Sequence, residues 1–377
     1  MVYETSFSYS EVGGPGRKEY LRRRPTRAMA RSTSSPSGGG AARMRALAAG
    51  LPDALLAGFH EGREVARPAS DRLDRVVAVG MGGSGIASDL ARGVVQSETP
   101  LALDVVRSPT LPRGIGTRSH VVLVSYSGNT WETLEAFVAA GRAGAPRTVV
   151  TSGGALADRA RQAGVPVLSV PPGLPPRSAV GHLLGGILGL LDPAFPESNE
   201  ARVTRIVDGL RRRVALYARP RGPAAQIAEK IGTRLPFVYA ESAFLALARR
   251  WKTQFEENAK RLAVFDEVPE LFHNAIVGWD ATSRREAAAT AAVLLEWSEE
   301  SPPVRKSFRY LEQLLRRRGV TVARVPLAHE DRLEAVLDGI TLGDHVSLFV
   351  ADRRRVDPLP VDAITRLKAA VGTPSLG

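Results

Sequence analysis

An α/β fold with two parallel, doubly wound sheets is predicted by the alternation of short apolar runs and longer helical stretches along the chain. Continuous apolar runs of this length are typical of strands that are buried on both faces of a parallel sheet. In the first half, strands are predicted at 76–79, 101–106, 121–124, 148–150 and 165–170, and helices at 86–96, 130–140 and 179–191.

The second half repeats the alternation without a close internal sequence repeat. Strands are predicted at 235–239, 275–279 and 320–325, and helices at 244–260, 333–348 and 361–371. The segment 287–297 is compatible with either a helix or a strand, because apolar runs of this length do not separate the two.

Length and local composition predict two domains behind a tail. The 377 residues fit about two domains of ordinary size. Residues 1–43 are rich in Arg, Ser and Gly and cannot bury enough apolar surface to order themselves, so a disordered tail is expected. A misassigned start, with Met44 as the true first residue, is a plainer explanation of this segment. We expect the two domains to cover residues 44–220 and 221–377.

Charge and cysteine content bear on which partners and which kinds of site are expected. The net charge is +12, but the tail holds eight basic and three acidic residues and so carries five of the twelve charges. The Arg runs 211–213 and 316–318 are interpreted as solvated helix faces, and no nucleic-acid partner is expected. No membrane span is expected. Without cysteine there is no thiolate zinc site, and the six His residues lack ligand spacing, so no metal is expected.

A glycine-rich loop follows the first predicted strand and opens a helix. Its sequence, Gly80-Met81-Gly82-Gly83-Ser84-Gly85, matches G-x-G-x-x-G. Backbone N–H groups at such a helix start can hold an anion. Asp104 lies where the acidic residue of a dinucleotide site is found, so a nicotinamide-dependent oxidoreductase is one alternative. A tight strand-to-helix turn without a ligand is another.

A second loop, 125–130, follows the third predicted strand and carries three short hydroxyls, on Ser125, Ser127 and Thr130. Hydroxyls beside a helix N-terminus suit a terminal phosphate, which offers several acceptor oxygens and a double charge. Capping of the helix by Ser127 or Thr130 is the simpler alternative, but it uses one hydroxyl and not three. The pattern therefore favours phosphate binding.

On these motifs the sequence resembles the sugar isomerase (SIS) family and, more closely, the bifunctional phosphoglucose/phosphomannose isomerases. The resemblance covers about residues 44–377 and implies two SIS-type subdomains, a metal-free and cofactor-free isomerase, and a cytoplasmic homodimer with shared active sites. Besides the two loops, the matching segments are 172–177, 250–254, 257–260, 269–270, 273–274 and 356–368.

The resemblance also implies roles for individual residues. The phosphate would be held by Ser84, Ser125, Ser127 and Thr130, with the backbone of Gly82 and Gly83. Glu257 would move a proton between C1 and C2 of the sugar, and Arg177 would stabilise an enediolate. His273, contributed to the partner's pocket, would help to open the sugar ring, and Lys368 would assist at a ring or hydroxyl oxygen.

The sequence departs from the family pattern at Glu256, Phe272 and Ala275, where the family commonly has polar groups that could support the histidine. These departures leave open a different sugar phosphate as substrate. They also leave open a non-catalytic SIS-type sensor of sugar phosphates, although sensors of that type usually carry a DNA-binding helical domain and none is evident in the tail. The expected reaction is interconversion of glucose 6-phosphate, and mannose 6-phosphate, with fructose 6-phosphate.

Overall fold

The computed structural model describes residues 39–67 and 73–371, which belong to one compact unit. Its first half contains a five-stranded sheet and its flanking helices. The strands are β1 (Arg75–Val79), β2 (Ala102–Val106), β3 (Ser119–Val124), β4 (Arg147–Thr151) and β5 (Val167–Ser169). The helices are α1 (Gly39–Ala49), α2 (Leu51–Glu64), α3 (Gly82–Glu98), α4 (Trp131–Arg142), α5 (Gly154–Gln162), α6 (Val180–Leu191) and α7 (Glu200–Tyr217).

The second half contains a four-stranded sheet. The strands are β6 (Leu235–Glu241), β7 (Val264–Val268), β8 (Thr290–Trp297) and β9 (Thr321–Leu327). The helices are α8 (Pro223–Ile231), α9 (Leu245–Glu257), α10 (Ala275–Ala281), α11 (Arg284–Ala288), α12 (Pro302–Arg318), α13 (Arg332–Arg354) and α14 (Asp362–Val371). Short 3-10 helices lie at Pro176–Ala179, Asp192–Ala194, Ser242–Phe244 and Glu270–His273.

Both sheets are parallel throughout, and the predicted fold class is confirmed. The first has the order β2-β1-β3-β4-β5 and the second the order β7-β6-β8-β9. Every residue of β3 is buried, as expected for a central strand with helices on both faces. In each sheet the second strand lies on one side of the first strand, and the third strand lies on the other side. The connections therefore leave the first strand and the third strand in opposite directions, and the loops after β1 and β3, or after β6 and β8, flank a crevice.

Helices α3, α9 and α13 join the two halves. Helices α3 and α9 pack against each other, and α13 packs on α7, α8 and α9. Helix α13 is buried on almost all sides, and its interior positions include Asp344 and Ser347. A helix buried on all sides needs internal partners for its polar groups. Those partners lie in the candidate site described below.

Two features differ from the sequence-based expectations. The segment 275–279, predicted as a strand, belongs to helix α10, which starts where the side chain of Asn274 accepts a hydrogen bond from the N–H of Ala275. Helix α1 begins at Gly39, so the last five residues of the predicted tail, 39–43, belong to this helix. It contacts the body through Arg43, which donates to the carbonyl oxygen of Gly173 at 2.7 Å. Residues 1–38 lie outside the described part of the chain.

None of the helices described at 39–67 and 73–371 is both long and apolar enough to cross a membrane.

Candidate functional site

The two predicted loops meet at the crevice of the first sheet. The glycine loop leaves β1, the hydroxyl loop leaves β3, and these strands are direct neighbours. Each loop opens a helix, α3 and α4 respectively. The loops are tied together because the Oγ of Ser84 accepts a hydrogen bond from the backbone N–H of Tyr126 at 3.2 Å. This edge of the sheet is where parallel α/β folds bind ligands.

The glycine loop has a left-handed turn and packs closely against the segment around Pro176. Gly82 has a φ of +51°, a left-handed conformation that favours glycine. A Cβ atom at Gly83 would lie 3.3 Å from the carbonyl oxygen of Pro176, so the loop rests directly on the segment that delivers Arg177. The loop thus places the start of α3 beside Arg177, and its backbone N–H groups are available to an anion there.

The hydroxyls of the second loop form a small cluster at the start of α4. Ser125 is buried and donates to the Oγ1 of Thr130 at 2.9 Å. Ser127 is exposed, and its Oγ accepts from the N–H of Asn129 at 3.3 Å. Thr130 is the N-cap residue of α4, but its side chain makes no capping hydrogen bond. Helix capping therefore does not explain why position 130 carries a hydroxyl group.

Asp104 is placed unfavourably for the dinucleotide alternative. It lies in the middle of β2, opposite Val77, and not at the carboxyl end of the strand. Its carboxylate is ion-paired with Arg75 at 2.8 Å and is half exposed. A ribose-binding carboxylate is needed at the ligand crevice, so this arrangement disfavours a nicotinamide site.

Arg177 is almost fully buried, with 2% of its side chain exposed. Its Nε donates to Oδ1 of Asn258 at 2.7 Å, and its Nη2 donates to the carbonyl oxygens of Pro358 and Leu359 at 2.6 and 3.0 Å. These three hydrogen bonds hold the guanidinium in one position. Burial lowers the pKa of Arg177, and the negative charge of Glu257 opposes this effect.

The remaining nitrogen of that guanidinium points towards Glu257. Nη1 of Arg177 lies 3.5 Å from Oε2 of Glu257 and has no hydrogen-bond partner among the described residues. Glu257 is the last residue of α9, and 28% of its side chain is exposed. A buried donor is costly to leave unpaired, so its position beside a solvent-accessible carboxylate marks a place for a ligand oxygen.

A buried polar network holds this pair in place, and sequence reasoning did not identify most of it. Arg250 donates from Nε and Nη2 to Asp344 at 2.8–3.2 Å and from Nη1 to the carbonyl oxygen of Arg177 at 2.8 Å. The Nδ2 of Asn258 donates to Ser347 at 2.9 Å. The network fixes Arg177 and the end of α9 against helix α13.

Tyr126 is a second positioning residue that sequence reasoning missed. Its hydroxyl donates to the carbonyl oxygen of Pro171 at 3.0 Å and accepts from the N–H of Leu174 at 2.7 Å. These bonds anchor the proline-rich segment just before Arg177. The predicted proline cluster therefore has a geometric role, since it carries Arg177 to the hydroxyl loop.

His273 is not brought to this site within the chain. Strand β7 follows α9 and runs parallel to β6, away from Glu257, over five residues or roughly 16 Å. His273 lies beyond the far end of β7, exposed, in the helix Glu270–His273. Lys368 lies in α14, but its side chain is outside the described part of the structure.

The three positions that depart from the family pattern serve other contacts. Glu256 forms an ion pair with Lys252 one turn earlier on α9, at 2.7 Å. Phe272 packs edge-on against the ring of Tyr310. Ala275 begins α10. At 39–67 and 73–371, no group of three or more His, Asp or Glu side chains is arranged to hold a metal ion.

Comparisons with known proteins extend over most of the chain. Residues 221–371 match the family model of the bacterial phospho-glucose isomerase C-terminal SIS domain. A bifunctional phosphoglucose/phosphomannose isomerase from Caldicellulosiruptor bescii is 31% identical, over 84% of this chain and 96% of its own length. A D-glucosamine-6-phosphate 4-epimerase from Sulfolobus acidocaldarius is 31% identical over 55% of this chain and 65% of its own length.

A solved structure shares the fold. Tagatose-6-phosphate ketose/aldose isomerase from Escherichia coli superposes with a TM-score of 0.62, covering 85% of this chain and 97% of that one, at 15% identity. At this identity the likeness concerns the fold alone, and it matches the two parallel sheets described above.

Proposed function

We propose that this chain, which belongs to the bifunctional phosphoglucose/phosphomannose isomerase family, interconverts glucose 6-phosphate and mannose 6-phosphate with fructose 6-phosphate. The observation that carries the proposal is the pair formed by Glu257 and Arg177, a solvent-accessible carboxylate 3.5 Å from a buried guanidinium nitrogen. A base and a fixed positive charge are what proton transfer next to a carbonyl requires.

In the proposed reaction the phosphate lies between the two loops. The hydroxyls of Ser84, Ser125, Ser127 and Thr130 donate to its oxygens, and the backbone of 82–83 contributes N–H groups at the start of α3. The starts of α3 and α4 add the favourable dipole of two helices. The sugar then extends from the loops towards Arg177, which the glycine loop touches through Pro176.

Glu257 acts as the base. Its carboxylate takes the proton from C2 of the open-chain aldose, the C2–H electron pair becomes the C1–C2 double bond, and the C1 carbonyl electrons move to O1. The resulting enediolate oxygen is stabilised by Arg177. Glu257 returns the proton to C1 while the proton of the C2 hydroxyl passes to O1, which gives the ketose. The planar intermediate has lost the configuration at C2, so glucose and mannose phosphates share it.

His273 is assigned to the pocket of a second copy of the chain in a two-fold dimer. Two features support this: His273 is separated from Glu257 of its own chain by the length of β7, and apolar surface is exposed around it. Val277 is 71% exposed and lies on α10, which packs against the helix of His273. Tyr310 is 52% exposed and contacts Phe272, the residue before His273. A face that gives and receives the same residues suits such a dimer. We assign ring opening to His273 and an assisting role to Lys368.

A mixed dimer tests the sharing of sites. One chain carries Glu257→Gln and the other His273→Ala, and each homodimer alone is expected to be inactive. Random reassociation after refolding gives half mixed dimers with one intact pocket in two, so about a quarter of wild-type activity should return. If mass spectrometry confirms mixed dimers and activity does not rise, His273 does not act in the partner's pocket.

We also propose a cytoplasmic location and a place in glycolysis and gluconeogenesis, since hexose phosphates are charged metabolites that are made and consumed inside cells. The function itself is tested by incubating the purified protein with glucose 6-phosphate or mannose 6-phosphate and measuring fructose 6-phosphate. Formation of the ketose from both is expected. The proposal would be overturned if neither aldose phosphate gave fructose 6-phosphate, or if the protein changed only the configuration at C4 of the sugar.

A further inference from the structure

A second cavity, of about 320 Å³, lies between helix α3 and the start of α9, away from the pair formed by Arg177 and Glu257. It opens near the carboxyl end of β6, the strand that begins the second sheet's own crevice. Its volume is that of a small-molecule site. The polar side chains that line it include Arg92, Arg249, Arg332, Asp89, Gln96 and Ser242.

The cavity wall carries more positive than negative charge. Asp89 is 5% exposed and is surrounded by three guanidinium groups, of Arg92 at 3.5 Å, Arg249 at 3.4 Å and Arg107. One carboxylate neutralises only one of them. Burial lowers the pKa of Arg249, and the positive charge of Arg107 lowers it further. Asp89 therefore leaves two of these three positive charges uncompensated, and of the three groups Arg92 and Arg249 line the cavity.

Arg332 contributes another guanidinium to the lining of the cavity, and aromatic rings hold it in place. Arg332 lies over the ring of Trp297, at 4.9 Å from its centroid, and over that of Phe244 at 6.0 Å. An arginine held by aromatic faces can direct its N–H edge to an anion, although the carboxylate of Glu241 also acts on Arg332 electrostatically. Ser242 contributes less, because its hydroxyl already donates to Glu267.

We propose that this cavity is a binding site for a small phosphorylated metabolite, separate from the isomerase site. Guanidinium groups match phosphate oxygens in pairs, and three of them line one cavity next to the N-terminus of a 13-residue helix. The two sites use different stretches of the same helices. Ser84 is near the start of α3 and Arg92 is two turns later, while Arg249 is near the start of α9 and Glu257 is its last residue.

Inorganic phosphate is the probe that tests this site. Binding to the full-length protein is measured by equilibrium dialysis with radiolabelled phosphate at low ionic strength, because screening weakens exposed charges. We expect two phosphates per chain. Arg249→Gln combined with Arg92→Gln should weaken one of them by about tenfold or more, since charge-assisted hydrogen bonds are lost. Turnover of hexose phosphates should not change.

Three controls make the result decisive. Arg316→Gln combined with Arg317→Gln removes the same two charges from the exposed face of α12 and should leave both phosphates bound. Ser127→Ala should weaken the other phosphate only. Arg332→Gln, at a separate point of the wall, repeats the test should the double variant unfold at a lower temperature.

The proposal is overturned if the cavity variants bind phosphate like the wild type, or if a single phosphate binds and Ser127→Ala abolishes it. It is also overturned if sedimentation shows that the variants dissociate an oligomer while phosphate binding is kept, since the cavity would then be a contact between copies of the chain.

Discussion

The two sheets share a strand order, yet the loops at their carboxyl ends carry different side chains. In the first sheet, the loops after β1 and β3 are built from glycines and short hydroxyls. In the second, the corresponding strand β6 ends at Glu241, β8 ends at Trp297, and the loop after β8 carries Glu300. Burial raises the pKa of Glu300 to about 7, and the charges of Glu241 and Glu296 contribute to that rise.

This difference shows how one topology serves two tasks. The first crevice is suited to hold an anion directly, because its hydroxyls and N–H groups face the ligand end of the sheet. The second half contributes to the same site from elsewhere, through Glu257 at the end of α9 and the buried network of α13. Strand order alone therefore does not determine which ligand a crevice binds. Matched substitutions in the two halves can test this difference.

The largest effect is expected from Glu257→Gln, which keeps the shape of the side chain but removes the base. Turnover should fall by at least about a hundredfold while substrate still binds. The matched control is Glu256→Gln on the preceding residue, whose carboxylate pairs with Lys252. Steady-state kinetics of both variants separate the two residues, and near-normal turnover in the Glu257 variant would contradict the assignment.

A large loss of stability is expected from Asp344→Asn. The pair of Arg250 and Asp344 is almost fully buried, so removing one charge should cost about 3–5 kcal/mol. The exposed pair of Arg45 and Asp352 is the control, and Asp352→Asn should cost less than about 1 kcal/mol. Denaturant unfolding measures both, and a loss below about 1 kcal/mol for Asp344→Asn would show that the buried pair does not stabilise the fold.

A smaller effect, on binding, should distinguish the two crevices. Ser127→Ala should weaken substrate binding by about 1–3 kcal/mol through loss of a charge-assisted hydrogen bond. Ser298→Ala makes the same change in the loop after β8, where the hydroxyl contacts the carbonyl oxygen of His329. That variant should bind substrate normally. An unchanged Michaelis constant in the Ser127 variant would place the phosphate elsewhere.

The smallest effect is a pH dependence in the second half. The pKa of Glu300 is raised from 4.5 to about 7 in the folded chain, so the unfolded chain releases this proton first as the pH rises. Stability should therefore fall between about pH 4.5 and 7. Glu300→Gln should reduce that fall by about 1–2 kcal/mol. Thermal unfolding at pH 5 and pH 7.5 checks this, and an identical pH slope in the variant would refute it.

The first half could be predicted well from the sequence because its central strands are continuous apolar runs and its loops have distinctive residues. The second half was harder. The edge strand β7 contains Asp266 and Glu267 and has only one strand partner, so no apolar run marks it. Helix α12 is rich in Arg, and its amphipathic pattern was interpreted only as a charged face.

The site was predicted in part for a similar reason. Hydroxyl loops are local signals, whereas the contact of Arg177 with Glu257 joins residues 80 positions apart, and that of Arg250 with Asp344 spans 94. No periodicity encodes such contacts, so only the family resemblance placed Arg177 and Glu257 together. The Arg run at 211–213 shows the same limit of prediction from local sequence. Arg213 is not a solvated charge, because it pairs with Glu334 and Asp338 on α13.

The central claim is that Glu257 transfers a proton through an enediolate shared by both aldoses. The direct test is conversion of fructose 6-phosphate in deuterated water, with the products analysed by NMR. Deuterium should appear at C2 of both glucose 6-phosphate and mannose 6-phosphate, reduced in amount by internal return of the proton, and Glu257→Gln should abolish it. Aldose formed without any deuterium at C2, or exchange that persists in the Gln variant, would contradict the account.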